Sequence, residues 1–334
     1  MEHRRQNREL IFKIIAVILV VVLLLSAGLL LVQLQEIREN GDSLDTDYQS
    51  GTIEIGEDTY HLRDDVETIL LIGVDQFDGN IEDSGYRNDQ RADFILLLAV
   101  DHTNKNYSAI HINRDTMAQM NVLGVAGEKV DSVCQQLALS HTYGNGREVS
   151  CRNTADAVSE LLLDTPIKHY VSVTMDSVPA VNDAVGGVTL TVLDDFSAVD
   201  QSLVKGKTIT LTGKQALTYV RARSGMEEAT NTARMDRQKQ YMEALIRQMH
   251  NVGKTNDQLF ADLFDELSDD KSAALVTDCT TLHLQTVCEK LIDYEYQKIH
   301  SLEGVSRVAN GMMEFYPDSS KTQELVLQLL YEKE

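Results

Sequence analysis

Residues 14–32, IIAVILVVVLLLSAGLLLV, run for nineteen positions without a charged side chain. At about 1.5 Å per residue a helix of that length covers roughly 28 Å, close to the hydrocarbon thickness of a bilayer. The run predicts one membrane-spanning helix. It passes through LLSAGLLL without a small-x-small cleavage site, as an uncleaved anchor does, and no cysteine follows LSAG to accept a lipid. Arg4, Arg5, Arg8 and Lys13 outweigh Glu2 and Glu9 by two charges on the N-terminal side. By the positive-inside rule, residues 1–13 are then a cytoplasmic stub, 14–32 an anchor in the cytoplasmic membrane, and all that follows Val32 extracellular.

That placement governs how charge and cysteine content are read. The chain carries a formal net charge of −22, which leaves −24 on the exterior part. Such a surface repels nucleic acid, and no DNA or RNA partner is expected. Cys134, Cys151, Cys279 and Cys288 all lie on the side where disulfides persist. Their spacing suggests Cys134 with Cys151 and Cys279 with Cys288, one of three connectivities. There is no CxxC motif and no clustering of histidines near the cysteines, so a zinc site is not expected.

Residues 33–65 are polar and acidic and read as an extracellular stalk, with a short hairpin around Thr52 to His61. From Val66 the character changes. VETILLIGVD (66–75), DFILLLAVD (93–101) and NYSAIHI (106–112) are β-branched or leucine-rich runs bounded by turn residues, as strands buried on both faces are. NTADAVSELLLD, MDSVPAVNDAVGG, TGKQALTYVRAR and the run from Thr232 to His250 carry helical spacing, with YVSVT and VTLTV as strands between them. Residues 255–334 read as mostly helix. The pattern predicts a single α/β domain over 66–334, a central mixed β-sheet covered by helices on both faces.

An acidic chain that gathers Arg221, Arg223, Arg234 and Arg237 within seventeen residues calls for a local explanation. Arg234, Arg237 and Gln238 share one helical face, and four guanidinium forks suit a diphosphate. Weak surface pairing with Glu227, Glu228 and Asp236 is the plainer account of the cluster alone. Other segments favour the first account. Asp75 ends one buried-type strand while Arg91 and Asp93 begin the next, and two carboxylates meeting there call for a divalent cation. Arg114 and Asp115 close the third strand in HINRDT, where open α/β sheets build their sites.

In this order, LIGVD, RAD, NRDT, VNDAVGGV, LTGKQALTYVRAR and ARMDRQ resemble the LytR-CpsA-Psr family of bacterial envelope phosphotransferases, from about Thr68 to Met249 and more weakly to the C-terminus. The resemblance implies an enzyme outside the cytoplasmic membrane that takes a glycan from a polyprenyl diphosphate carrier and transfers it, with one phosphate, to a peptidoglycan hydroxyl. It implies that Asp75 and Asp93 are linked to Mg2+ (or Mn2+). It also implies that Arg91, Arg114, Arg221, Arg223, Arg234 and Gln238, with Arg237 beside them, contact the diphosphate. Asp75, Asp93, Arg114 and Asp115 form the expected catalytic set, and either Asp93 or Asp115 takes the acceptor's proton. Four positions depart from the family pattern: Gln76 and Phe77 follow the first Asp, Asn113 stands in place of Pro, and Asn231 in place of Asp. These departures motivate an alternative, a polyprenyl-diphosphate-binding sensor or envelope scaffold with weak turnover. The lipid also needs an apolar groove, for which ELLLD and VPAVNDAV are the expected walls.

Overall fold

Leucine-rich strands dense in apolar residues on both faces must be covered on both faces, and the sheet they build sits between two helical layers. The computed structural model describes residues 51–75, 88–223, 230–267, 274–309 and 311–334. The expected span at 14–32, the stalk up to Ser50 and the loop that begins with Gln76 and Phe77 lie outside the described residues. Among the described residues no helix is long and apolar enough to cross a membrane.

The strands in chain order are β1 (Thr52–Ile55), β2 (Asp58–Leu62), β3 (Val66–Val74), β4 (Ala92–Asp101), β5 (Asn106–His111), β6 (Met117–Leu123), β7 (Lys129–Gln136), β8 (His169–Thr174), β9 (Val188–Thr191), β10 (Thr208–Leu211), β11 (Leu275–Thr277), β12 (Glu295–Ser301), β13 (Gly304–Ala309), β14 (Met312–Pro317) and β15 (Tyr331–Lys333). The helices are α1 (Glu148–Leu161), α2 (Ser177–Ala184), α3 (Gly213–Arg221), α4 (Asn231–Gly253), α5 (Leu259–Leu267), α6 (Thr281–Asp293) and α7 (Ser319–Leu330). Six strands form the central sheet in the order β11-β8-β3-β4-β5-β12. It is mixed: β3 pairs with β8 and β5 with β12 in parallel, while β3–β4, β4–β5 and β11–β8 are antiparallel.

Alternation along β3 and β4 sends their side chains to opposite layers. Leu70, Ile72, Ile95 and Leu97 pack with Cys151, Ala155 and Val158 of α1 and Val326 and Leu330 of α7. Ile69, Leu96 and Leu98 turn the other way, toward Val287 of α6 and Met242 and Ile246 of α4. A further core joins α2, α3, α4 and α5 to the β9–β10 ribbon. Helix ends follow local chemistry. Thr212 and Gln215 close a capping box on α3, Thr230 caps α4 through the Ala233 N–H at 3.1 Å, and Gly186 and Gly187 take positive φ where α2 stops.

Three expectations need correction. The hairpin at 52–62 is part of the globular unit, because β2 pairs with β15 along Tyr331↔Leu62, and the compact unit starts at Gly51. Among the described residues the C-terminal third contains five strands, including the sheet edge β12 and the β13–β14 hairpin. Its sequence held an Asn310-Gly311 pair between apolar residues, a hairpin signal that the helical reading passed over. All four cysteines are free thiols: Cys151 is buried in the α1 core whereas Cys134 is exposed on β7.

Candidate active site

The register of β3 against β4 brings the first carboxylates together. Gly73 pairs with Phe94 and Val74 with Ala92, so Asp93 is the extra residue of a bulge, and Asp75 is the next residue beyond the pair. Arg91 precedes β4 and is exposed. The turn after β5 supplies Arg114 and Asp115, both buried. The end of α3 supplies Arg221 and Arg223, and the first turns of α4 supply Arg234, Arg237 and Gln238.

Ion pairs join these segments. Asp93 is bonded by Arg114 Nη1 and lies 4.0 Å from Arg234 Nη1; Asp75 is 3.3 Å from Arg221 Nη2. Asp115 is 3.6 Å from Arg114 Nε and accepts from Gln136 Nε2 at 3.2 Å. Five guanidinium groups thus face three carboxylates, an excess of positive charge. Burial, with Arg234, Arg223 and Arg91 close by, lowers Arg114 to about 10; burial and then Arg223 do the same for Arg234. Both stay cationic at neutral pH, and burial with the neighbouring guanidinium groups outweighs the opposing pull of Asp115 on each. The Nε atoms of Arg114, Arg223 and Arg234 are buried with no hydrogen-bond partner among the described residues. A site with surplus charge and unspent donors is built for an anion with several oxygens.

The two unexpected asparagines hold it in shape. Asn113 Oδ1 accepts from the Asp115 N–H at 2.9 Å and from Asn231 Nδ2 at 2.8 Å. Asn231 Oδ1 accepts from Arg234 Nη2 at 2.7 Å and Arg223 Nη2 at 3.2 Å. An amide at 231 donates to one side and accepts on the other, which a carboxylate cannot do. The departures at 113 and 231 are therefore coupled. Their joint role, and that of Gln136 at the end of β7, left no trace in sequence beyond the unusual residue at each place.

Arg237 does not join the anion-binding group. It is fully buried, donates from Nε to the Tyr219 carbonyl at 3.1 Å, from Nη1 to Asp194 at 2.5 Å and from Nη2 to the Ala222 carbonyl, and sits over the Phe196 ring. With every nitrogen engaged inward, it fixes the chain leaving α3 and so positions Arg221 and Arg223. Gln238 is also buried: Nε2 donates to the Val220 carbonyl at 3.3 Å, while Oε1 has no partner.

Gln238, Val220, Gly73 and Phe94, chain neighbours of the site residues, line a cavity of about 340 Å³ whose remaining lining is almost wholly apolar. Leu71, Leu96 and Leu98 of the sheet are its floor, and Met242, Ile246, Phe264 and Leu291 of α4, α5 and α6 its walls. Of the two walls expected from sequence, Val178 and Val181 of VPAVNDAV do line it, whereas Leu162 of ELLLD belongs to the opposite core. In that lining a Cβ on Gly73 would meet Phe94 Cβ at 2.9 Å, so the glycine keeps that approach open.

The family model LytR_cpsA_psr matches residues 33–329. The chain belongs to the LytR-CpsA-Psr family. A relative in this family, the polyisoprenyl-teichoic acid--peptidoglycan teichoic acid transferase TagU of Bacillus subtilis, is 28% identical over 271 residues, 80% of this chain and 78% of its own. The protein of that name from Halalkalibacterium halodurans is 32% identical over 181 residues, 54% of this chain and 52% of its own. Among solved structures, that of B. subtilis TagV superimposes with a TM-score of 0.59 at 23% identity, covering 80% of this chain and 97% of that one. This last likeness establishes the LytR-CpsA-Psr fold.

Proposed function

We propose that this protein is a membrane-anchored extracellular phosphotransferase that moves a glycan phosphate from a polyprenyl diphosphate carrier to a peptidoglycan hydroxyl, the glycan being a teichoic acid as for the named relatives. The observation that carries the reading is the convergence of Arg114, Arg223 and Arg234, whose Nε donors are unspent among the described residues, beside an apolar cavity lined by Phe94, next in the chain to Asp93, and by Val220, next to Arg221. A ligand with an anionic head and a long apolar tail fits that pairing. Burying each CH₂ of a polyprenyl chain contributes about 0.8 kcal/mol.

Phosphoryl transfer asks the protein chiefly to position groups and offset charge. Arg114, Arg223 and Arg234 bind the diphosphate oxygens, and Arg91 and Arg221, more exposed, face the glycan side. Asp75 Oδ1 faces Arg221 Nη2 at 3.3 Å, has no hydrogen-bond partner among the described residues and lies next to the Asp93 bulge, a donor pair that suits Mg2+ (or Mn2+) together with phosphate oxygens. Bound there, the cation would neutralise charge on the phosphates. Arg114 occupies one oxygen of Asp93 and the other would be left for the cation, so Asp115, with Oδ2 unengaged among the described residues and its pKa raised chiefly by burial, accepts the hydroxyl proton.

The test is transfer by the purified full chain in detergent, with Mg2+, a polyprenyl diphosphate teichoic acid precursor and peptidoglycan. Covalent attachment that falls about 10²- to 10⁴-fold in Asp115→Asn, with lipid binding retained, is expected. Binding without attachment in the wild type would instead identify a sensor or scaffold.

A further inference from the structure

Far from the arginine cluster, at the other end of the same strands, a second group of side chains has no part in the reaction above. His169 opens β8 opposite Ile69, while Thr174 at its far end pairs with Val74 beside Asp75. Five residues at about 3.3 Å each put the two ends roughly 17 Å apart. At the His169 end, Cys279 and His283 arrive from the turn into α6. That turn is fixed: the Cys279 N–H donates to Thr277 Oγ1 at 3.1 Å and the His283 N–H to Thr280 Oγ1 at 3.2 Å. One ring nitrogen of His169, one of His283 and Cys279 Sγ all lie within 4.8 Å of one another.

The surroundings are those of a metal site. His169 Nδ1 is buried without a hydrogen-bond partner. His283 Nε2 is 2.7 Å from Glu67 Oε1, whose other oxygen is 2.8 Å from His102 Nε2. A carboxylate on one ring nitrogen fixes the tautomer and leaves the other lone pair for a cation. Asp278, held by the Tyr170 N–H at 3.0 Å and Arg152 Nη2 at 2.6 Å, lies 3.5 Å from His169 Nδ1 and 3.9 Å from Cys279 Sγ. Two carboxylates thus flank two imidazoles and a thiol. Tetrahedral bonds of about 2.0–2.3 Å place ligand atoms about 3.5 Å apart, a closure that side-chain rotation supplies.

We propose that His169, Cys279 and His283 bind a zinc ion, with a carboxylate or water completing four-coordination. Two nitrogens and a sulfur select zinc over magnesium or calcium. On binding, the Cys279 S–H proton is released to the buffer and a Zn–S bond forms. The ion would join the first residue of β8, the strand next to the sheet edge, to the start of α6, the helix that carries Leu291 and Ile292 into the cavity wall, and so steady that wall.

The experiment uses the full chain in detergent, stripped with a chelator and then titrated with Zn2+ or Co2+. One equivalent of zinc, a higher unfolding temperature, and a thiolate-to-cobalt charge-transfer band with Co2+ are expected. Cys279→Ser should remove the band, and Glu67→Gln should weaken zinc binding about 10- to 100-fold. Cys134→Ser, which alters the exposed thiol, should change neither. His169→Gln provides a second reading should Cys279→Ser unfold without metal. Absence of stoichiometric zinc uptake, a band that survives Cys279→Ser, or zinc affinity unchanged in His169→Gln would overturn the proposal.

Discussion

Arg223 and Arg237 lie within one short stretch of arginines, and the structure gives them opposite tasks. Arg223 keeps a buried Nε without a partner among the described residues, so Arg223→Ala should weaken polyprenyl diphosphate binding about 10- to 100-fold, the worth of a charge-assisted hydrogen bond, and leave thermal unfolding nearly unchanged. Arg237 spends all its donors on the fold, and removing one member of a buried pair costs about 3–5 kcal/mol. Arg237→Ala should therefore show a large loss in denaturant unfolding, whereas an unchanged midpoint would return Arg237 to the ligand. Sequence spacing placed Arg237 beside the site because the helical face it shares with Arg234 and Gln238 does not tell which side chains spend their donors on the fold. The clustering itself was legible, since Asp and Arg at strand and helix ends are sequence features. The amide relay of Asn113 and Asn231 was not, because it joins residues 118 positions apart.

At the scale of elements, the apolar cavity is the part that the sequence hid most thoroughly. Its stripes on α4, α5 and α6 look like ordinary core faces until the packing leaves a gap between them and the sheet. Met242→Trp, from α4 into that gap, should reduce polyprenyl diphosphate binding at least tenfold while the unfolding temperature changes by only a few degrees, measured by lipid binding and calorimetry on one preparation. A fall in stability with lipid affinity intact would mean that the chain does not enter there. The central strands were legible because buried parallel and antiparallel runs need continuous apolar residues. β12 and β13 were not, since EYQKIHS and GVSRVA are polar edge or ribbon strands that a 3.6-residue period accommodates equally well.

At the scale of the molecule, folding holds two imidazoles neutral. Burial lowers His111 to about 3, helped by Lys239 and Arg234, and burial lowers His141 to about 4. A histidine with a depressed folded pKa contributes stability that is present above its unfolded value near 6.5 and is lost as pH falls below it. The pair predicts that unfolding free energy drops by about 3–4 kcal/mol between pH 7 and pH 5, read from urea titrations at each pH. A flat profile over that window would mean that neither ring is held neutral. The layered fold brings a cationic cluster and an apolar cavity together from segments spread over residues 71–299, and the functional account stands on that junction. The most direct test is a crystal structure of the protein with a bound polyprenyl diphosphate. The account predicts diphosphate density against Arg114, Arg223 and Arg234 with the prenyl chain running between Leu96 and Ile246. Density for the head group elsewhere on the surface, with the cavity closed, would contradict it.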